Sequence, residues 1–143
     1  MRVRASGRKV EKGNPERVAS GAYGDVWLYG DALADYRQLQ RRNDQTSVRE
    51  ARTLERYFER YAEKGPVSLD SRMFKQQGLE RDAQGNEVLI FAFKSYQFRI
   101  YGSVRDYKGR RAFVGTACEN SKKTNKANPQ ILAKAARKSS EVM

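Results

Sequence analysis

The strongest constraint on this chain lies between residues 88 and 118, where three β-prone runs alternate with turn residues. Val88 to Lys94, Tyr96 to Val104 and Arg111 to Cys118 are rich in β-branched and aromatic side chains. A tight turn near Ser95 separates the first two runs, and Asp106 to Gly109 separates the last two. Three strands this close in sequence make an antiparallel meander, and its apolar face needs helices to cover it. Both flanks supply them. After Asp31, read as an N-cap, Leu33, Tyr36 and Leu39 recur at helical spacing through about Arg42. Ser47 and Glu50 match a capping box, and Ala51, Leu54, Phe58 and Tyr61 form one apolar stripe that Gly65-Pro66 ends. Asn128 and Pro129 read as the cap and first residue of a last helix, with Ile131, Leu132 and Ala135 on its apolar side. Val26-Trp27-Leu28-Tyr29, closing at Gly30, reads as a first strand, and Val67 to Gly78 as a loop anchored by Leu69, Met73 and Phe74. The expected fold is therefore α+β, with a strand and a helical hairpin packed on one face of an antiparallel sheet and a C-terminal helix. Residues 1–20 are expected to be a basic, flexible segment and residues 21–143 a single domain.

Charge narrows the function. Twenty-nine Lys and Arg face seventeen Asp and Glu, for a formal charge of +12. The excess is uneven: residues 1–18 carry +4, residues 19–93 carry −1, and residues 94–138 carry +10. A basic segment that also contains aromatic strands is a folded cationic surface, and nucleic acid is its first candidate partner. The chain has no histidine and one cysteine, Cys118, so zinc sites, an internal disulfide and Ser-His or Cys-His catalysis lack their parts. No cofactor is expected. The longest apolar run, Val88 to Phe93, is too short to cross a bilayer, so the expectation is a soluble, cytoplasmic protein with no membrane partner.

In the middle strand, alternation places Tyr96, Phe98 and Ile100 on the face that packs under the helices, and Gln97, Arg99 and Tyr101 on the open face. There, Arg99 can hold a phosphate and Tyr101 can stack on a base. Lys94 before that strand and the loop from Glu119 to Lys126, with Lys122, Lys123 and Lys126, can converge on the same surface.

The segments Phe93-Lys94-Ser95-Tyr96-Gln97-Phe98-Arg99-Ile100-Tyr101, Arg110 to Gly115, Lys122-Lys123-Thr124-Asn125-Lys126 and Pro129 to Ala136 together resemble the C-terminal half of the RelE/HigB-like toxins, phage-type members in particular. The resemblance covers residues 93–137 by motif and residues 26–65 by the order of elements. It implies a small RNA-binding domain that, in active members, cuts mRNA on the ribosome by attack of the ribose 2′-OH on the neighbouring phosphate, without metal, and that a small antitoxin masks. Carried onto this chain, it implies that Arg99 holds the scissile phosphate and that Lys94, Lys122, Lys123 and Lys126 bind RNA; with no histidine, the chemistry adds Tyr101 and Lys94 to Arg99 as catalytic candidates, and Arg110, Arg111 and Tyr96 complete the expected RNA-binding set. Many members use a Tyr or His beyond the last strand; with no histidine here, Tyr101 or Tyr96 would stand in. The alternatives are a non-catalytic phage-type protein of the same fold that binds nucleic acid or a host complex, and a toxin of the superfamily directed at gyrase.

Overall fold

The computed structural model describes residues 13–119 and 128–142. Its elements in chain order are β1 (Glu16–Ser20), β2 (Asp25–Leu28), α1 (Gly30–Arg41), α2 (Gln45–Lys64), a 3-10 turn (Pro66–Ser68), β3 (Phe74–Arg81), β4 (Glu87–Lys94), β5 (Arg99–Tyr107), β6 (Arg110–Glu119) and α3 (Pro129–Ser139). The six strands lie in the order β1-β2-β6-β5-β4-β3. The α+β class and the helical hairpin agree with the sequence reading. The sheet, however, is mixed, because β2 runs parallel to β6, with Asp25 beside Ala112 and Leu28 beside Gly115. A strand that is followed by a long crossover returns in the same direction, and here the helical hairpin and the meander form that crossover.

Two strands, β1 and β3, stand where the sequence reading placed a tail and a loop. They are the two edges of the sheet. An edge strand buries few side chains, and the patterns Glu-Arg-Val-Ala-Ser and Phe-Lys-Gln-Gln-Gly-Leu-Glu-Arg carry little apolar alternation. Of the basic segment expected over 1–20, residues 1–12 lie outside the described residues, and Glu16–Ser20 forms β1. Helix ends also differ from expectation. α1 begins at Gly30 with no side-chain cap, and Asp31 instead pairs with Lys134. α2 is capped by Asp44, whose carboxylate accepts from Ser47 N at 3.0 Å, which leaves Glu50 free for another partner. Gly65 (φ 83°) ends α2, and Asn128 caps α3 by accepting from Gln130 N, both as expected.

The expectation of helices on one face is corrected. α1 and α2 cover one face, where Leu54, Phe58 and Tyr61 meet Phe74, Phe93 and Phe113. Neighbouring rings there stand edge to face, with Phe58 and Phe113 4.9 and 4.8 Å from Phe93. α3 covers the other face through Leu132, Ala135 and Ala136, packed on Ile90, Ala92, Tyr101 and Ala117. Small residues on both sides, with Ser103, Ala112 and Thr116 in the sheet, allow this close approach. Thr116 Oγ1 donates to Ala135 O at 2.8 Å and fixes its register.

A bulge at Thr116 lets Tyr101 face Ala117 while Gly102 faces Gly115. A Cβ on Gly102 would lie 2.1 Å from Val114 O, so only glycine fits. Gly102→Ala is expected to cost about 3 kcal/mol or more, the upper range for overpacking, measurable as a lowered midpoint in denaturant unfolding.

Candidate nucleic-acid interface

The turn between β4 and β5 is held from the helical layer. Glu50 on α2 is half-buried, and its Oε2 accepts from Ser95 Oγ (2.8 Å), Gln97 N (2.8 Å) and Phe98 N (3.2 Å). Ser95 N closes the turn by donating to Phe98 O at 3.0 Å. Three donors on one carboxylate oxygen leave the turn little freedom, and its tip, Tyr96, stands 77% exposed. Phe98, just past the tip, is buried.

On the α3 face, four neighbouring strands bring a row of polar residues to this same end of the sheet. Lys75 on β3 pairs with Ala92, two positions before Lys94 on β4; Lys94 faces Arg99 on β5, and Arg99 faces Glu119 on β6. The Arg99 Nη1 donates to Ser95 O at 2.8 Å, and the side chain is 8% exposed. The Lys94 ammonium is held below the ordinary lysine range, first by partial burial and then by the neighbouring cations Arg99 and Lys75. The Tyr101 hydroxyl donates to Glu119 Oε1 at 2.8 Å. Burial first, and then Glu119, pushes that phenol above its ordinary range.

Two sequence expectations are corrected at this site. Arg99 and Tyr101 do not lie on an open face: α3 covers Tyr101, which is 1% exposed, and Arg99 is buried as well. Alternation separated the faces correctly for Phe98 and Ile100, buried under α1 and α2, but Tyr96, expected beside them, lies in the turn before β5 and is exposed, and both faces of the strand are interior. A tyrosine whose ring is in the core and whose hydroxyl is bound to a carboxylate cannot stack on a base in this conformation. Of the residues assigned to catalysis and binding, Lys94, Arg99 and Tyr96 come together. Arg110 and Arg111 lie at the far end of the β5–β6 hairpin, eight strand steps or roughly 26 Å from Arg99. There the Arg110 Nε donates to Asp25 Oδ1 at 3.1 Å, and its guanidinium also bonds Gly21 O, so it braces the β1–β2 turn. Arg111 is exposed, 3.5 Å from Asp106. Lys122, Lys123 and Lys126 lie outside the described residues. Sequence reasoning missed Lys75, because β3 itself was missed, and Glu50, because its spacing from Ser47 matched a cap.

Other chemistry is sparse. The Cys118 thiol bonds Asp35, and burial followed by that carboxylate raises it far above the usual thiol range, so it is protonated at neutral pH. Among the described residues, no group of three His, Cys, Asp or Glu side chains gathers in a way that could hold a metal ion. A cavity of about 910 Å³ lined by Phe74, Phe91, Ser103 and Val104 opens where β4 and β5 diverge, and it contains none of Lys94, Arg99 and Tyr96. No helix among the described residues is long and apolar enough to cross a membrane. No family model, curated protein or solved structure matches this chain.

Two outcomes are expected from this geometry. Glu50→Ala should lower stability by about 2 to 3 kcal/mol, since it removes a charged acceptor from three donors, as measured by urea unfolding. At Lys94 the folded protein binds fewer protons than the unfolded chain between the depressed lysine pKa and the ordinary 10.5, so stability rises with pH across that window. Lys94→Gln should therefore raise Tm at pH 7, and the gain should shrink as pH approaches 10.5, as followed by thermal melts.

Proposed function

We propose that this chain is an RNA-binding protein of RelE/HigB-like design that meets single-stranded RNA at the β4–β5 end of its sheet. The observation that carries this reading is the row Lys75, Lys94 and Arg99 beside the exposed ring of Tyr96. Partial burial first, and then the like charges of Arg99 and Lys75 on adjacent strands, disfavour the protonated form of Lys94. An anionic ligand relieves that repulsion, and an exposed tyrosine gives a base a flat surface on which to stack. The formal charge of +12 supports a polyanionic partner in general. The pinned turn supports a preformed contact rather than one ordered on binding.

Between the two forms of the reading, the burial of Tyr101 favours a binder over a nuclease that uses this phenol. The second form, a metal-independent mRNA interferase of the cytoplasmic toxin–antitoxin type acting on the ribosome, draws its support from Lys94. A lysine with a lowered pKa beside an arginine can move a proton while the arginine stabilises charge on phosphate.

The test is fluorescence anisotropy with a labelled twelve-nucleotide oligouridylate over a range of salt. Lys75→Ala and Lys94→Gln should each flatten the slope of log K against log salt by about 0.7. Tyr96→Ala should weaken binding by about tenfold, within the range for one lost base stack. No binding at low salt overturns the reading. Mapping RNA ends after induced expression separates the two forms: new ends that disappear in Lys94→Gln indicate the nuclease, and unchanged ends the binder.

A further inference from the structure

At the opposite end of the sheet, Trp27 on β2 and Tyr107 at the end of β5 meet edge to face, with centroids 5.1 Å apart. Arg17 on β1 is directly opposite Trp27 in register, and its guanidinium carbon lies 6.0 Å from the indole centroid. The Lys108 ammonium lies 6.0 Å from the same centroid and 5.3 Å from that of Tyr107. Other cations nearby have fixed tasks. Arg105 donates to Ser139 O and Val142 O at 3.1 and 3.0 Å and anchors the end of α3, while Arg110 is held by Asp25. Arg17 and Lys108 are exposed, and among the described residues neither has a carboxylate within ion-pair distance. The indole Nε1–H is buried and has no acceptor. Two exposed cations thus meet a half-buried indole at one spot, at the margin of the buried cluster of Tyr29, Tyr107, Ala112, Val114 and Val142.

The turn adds an independent point. Lys108 has φ 51° and Gly109 φ 81°, a two-residue hairpin loop whose first position suits glycine or asparagine better than lysine. The geometry of the loop does not require a lysine there; what the residue contributes is a cation placed over both rings.

We propose that Trp27, Arg17 and Lys108 form a second contact for single-stranded nucleic acid, with a base taken by the indole and phosphates by the two cations. This rests on the RNA-binding reading and extends it to a spot roughly 26 Å along β5 from Arg99. The cations are long and flexible, so a base can replace them on the ring while they turn to its phosphates. One oligonucleotide of about a dozen nucleotides, within the usual range of single-strand site sizes, is long enough to reach both ends.

Trp27 is the chain's one tryptophan, so its emission reports on this spot alone. The experiment follows tryptophan emission and the anisotropy of the labelled oligouridylate in the same titration of the full chain. The expected result is saturable quenching that tracks the anisotropy, with the salt slope flattened by about 0.7 in Arg17→Ala and again in Lys108→Gly. Lys108→Gly places a favoured residue in the turn, so a loss of binding at unchanged Tm cannot be assigned to unfolding. Anisotropy binding with unchanged emission and unchanged acrylamide quenching overturns this site and leaves the RNA reading standing. Absence of anisotropy binding overturns both. Equal quenching by inorganic phosphate alone overturns the assignment to nucleic acid.

Discussion

Glu50 lies on a helix, yet its carboxylate belongs structurally to the sheet. By accepting from Ser95 Oγ and from the backbone of Gln97 and Phe98, it joins the α1–α2 layer to the β4–β5 turn at one point. The rest of that end of the molecule follows from it. With the turn fixed, Ser95 O is positioned to receive Arg99, Phe98 enters the core, and Tyr96 is left outside. Arg99 then occupies the row that includes Lys94 and Glu119, and Glu119 orients the Tyr101 hydroxyl. A carboxylate with several hydrogen-bond donors tolerates partial burial, whereas an apolar side chain in its place would leave those donors unsatisfied. Packing of α2 on the sheet and the shape of the cationic end are therefore parts of one arrangement.

The interior elements were legible in the sequence, and the margins were not. The stripe Leu54, Phe58 and Tyr61, the meander and the Asn128-Pro129 helix start follow directly from spacing and cap chemistry. The edge strands β1 and β3 escaped because edges bury little and need no apolar alternation. Alternation put Phe98 and Ile100 opposite Arg99 and Tyr101, as observed, but Tyr101 was taken for a surface residue because helices were expected on one face of the sheet only. Its ring contributes core volume under α3, and nothing local to the strand states that a distant alanine-rich helix will cover it. For the candidate site, then, Lys94 was found at the strand end where expected, Tyr96 lies on the exposed turn and not under the helices, and Lys75 and Glu50 depended on tertiary placement that local patterns do not encode.

The two cationic ends have different characters. At the β4–β5 end Lys94 and Arg99 are adjacent and at least partly buried, and burial first, then the neighbouring cations, lowers the proton affinity of Lys94. At the β5–β6 end the cations are exposed and rest on aromatic rings, where the ring faces offset part of the desolvation. α3 divides these surfaces: its body closes the face above Tyr101, and its C-terminal end, held by Arg105, stops beside Tyr29, Tyr107 and Val114. Leu132, Ala135 and Ala136 thus set how much of the sheet remains open to a ligand.

The parallel pairing of β2 with β6 has a consequence for biosynthesis. Asp25 to Leu28 finds its partner only when Ala112 to Gly115 has been made, on the far side of both helices and the meander. At about 5 to 20 residues per second, the N-terminal layer waits on the order of ten seconds for the strand it docks against. Through that interval the stripe of Leu54, Phe58 and Tyr61 has no completed sheet beneath it, and the nascent chain carries an exposed apolar helix face of the kind that chaperones bind. Pairing of the second strand is thus completed only once one of the last segments of the chain has been made.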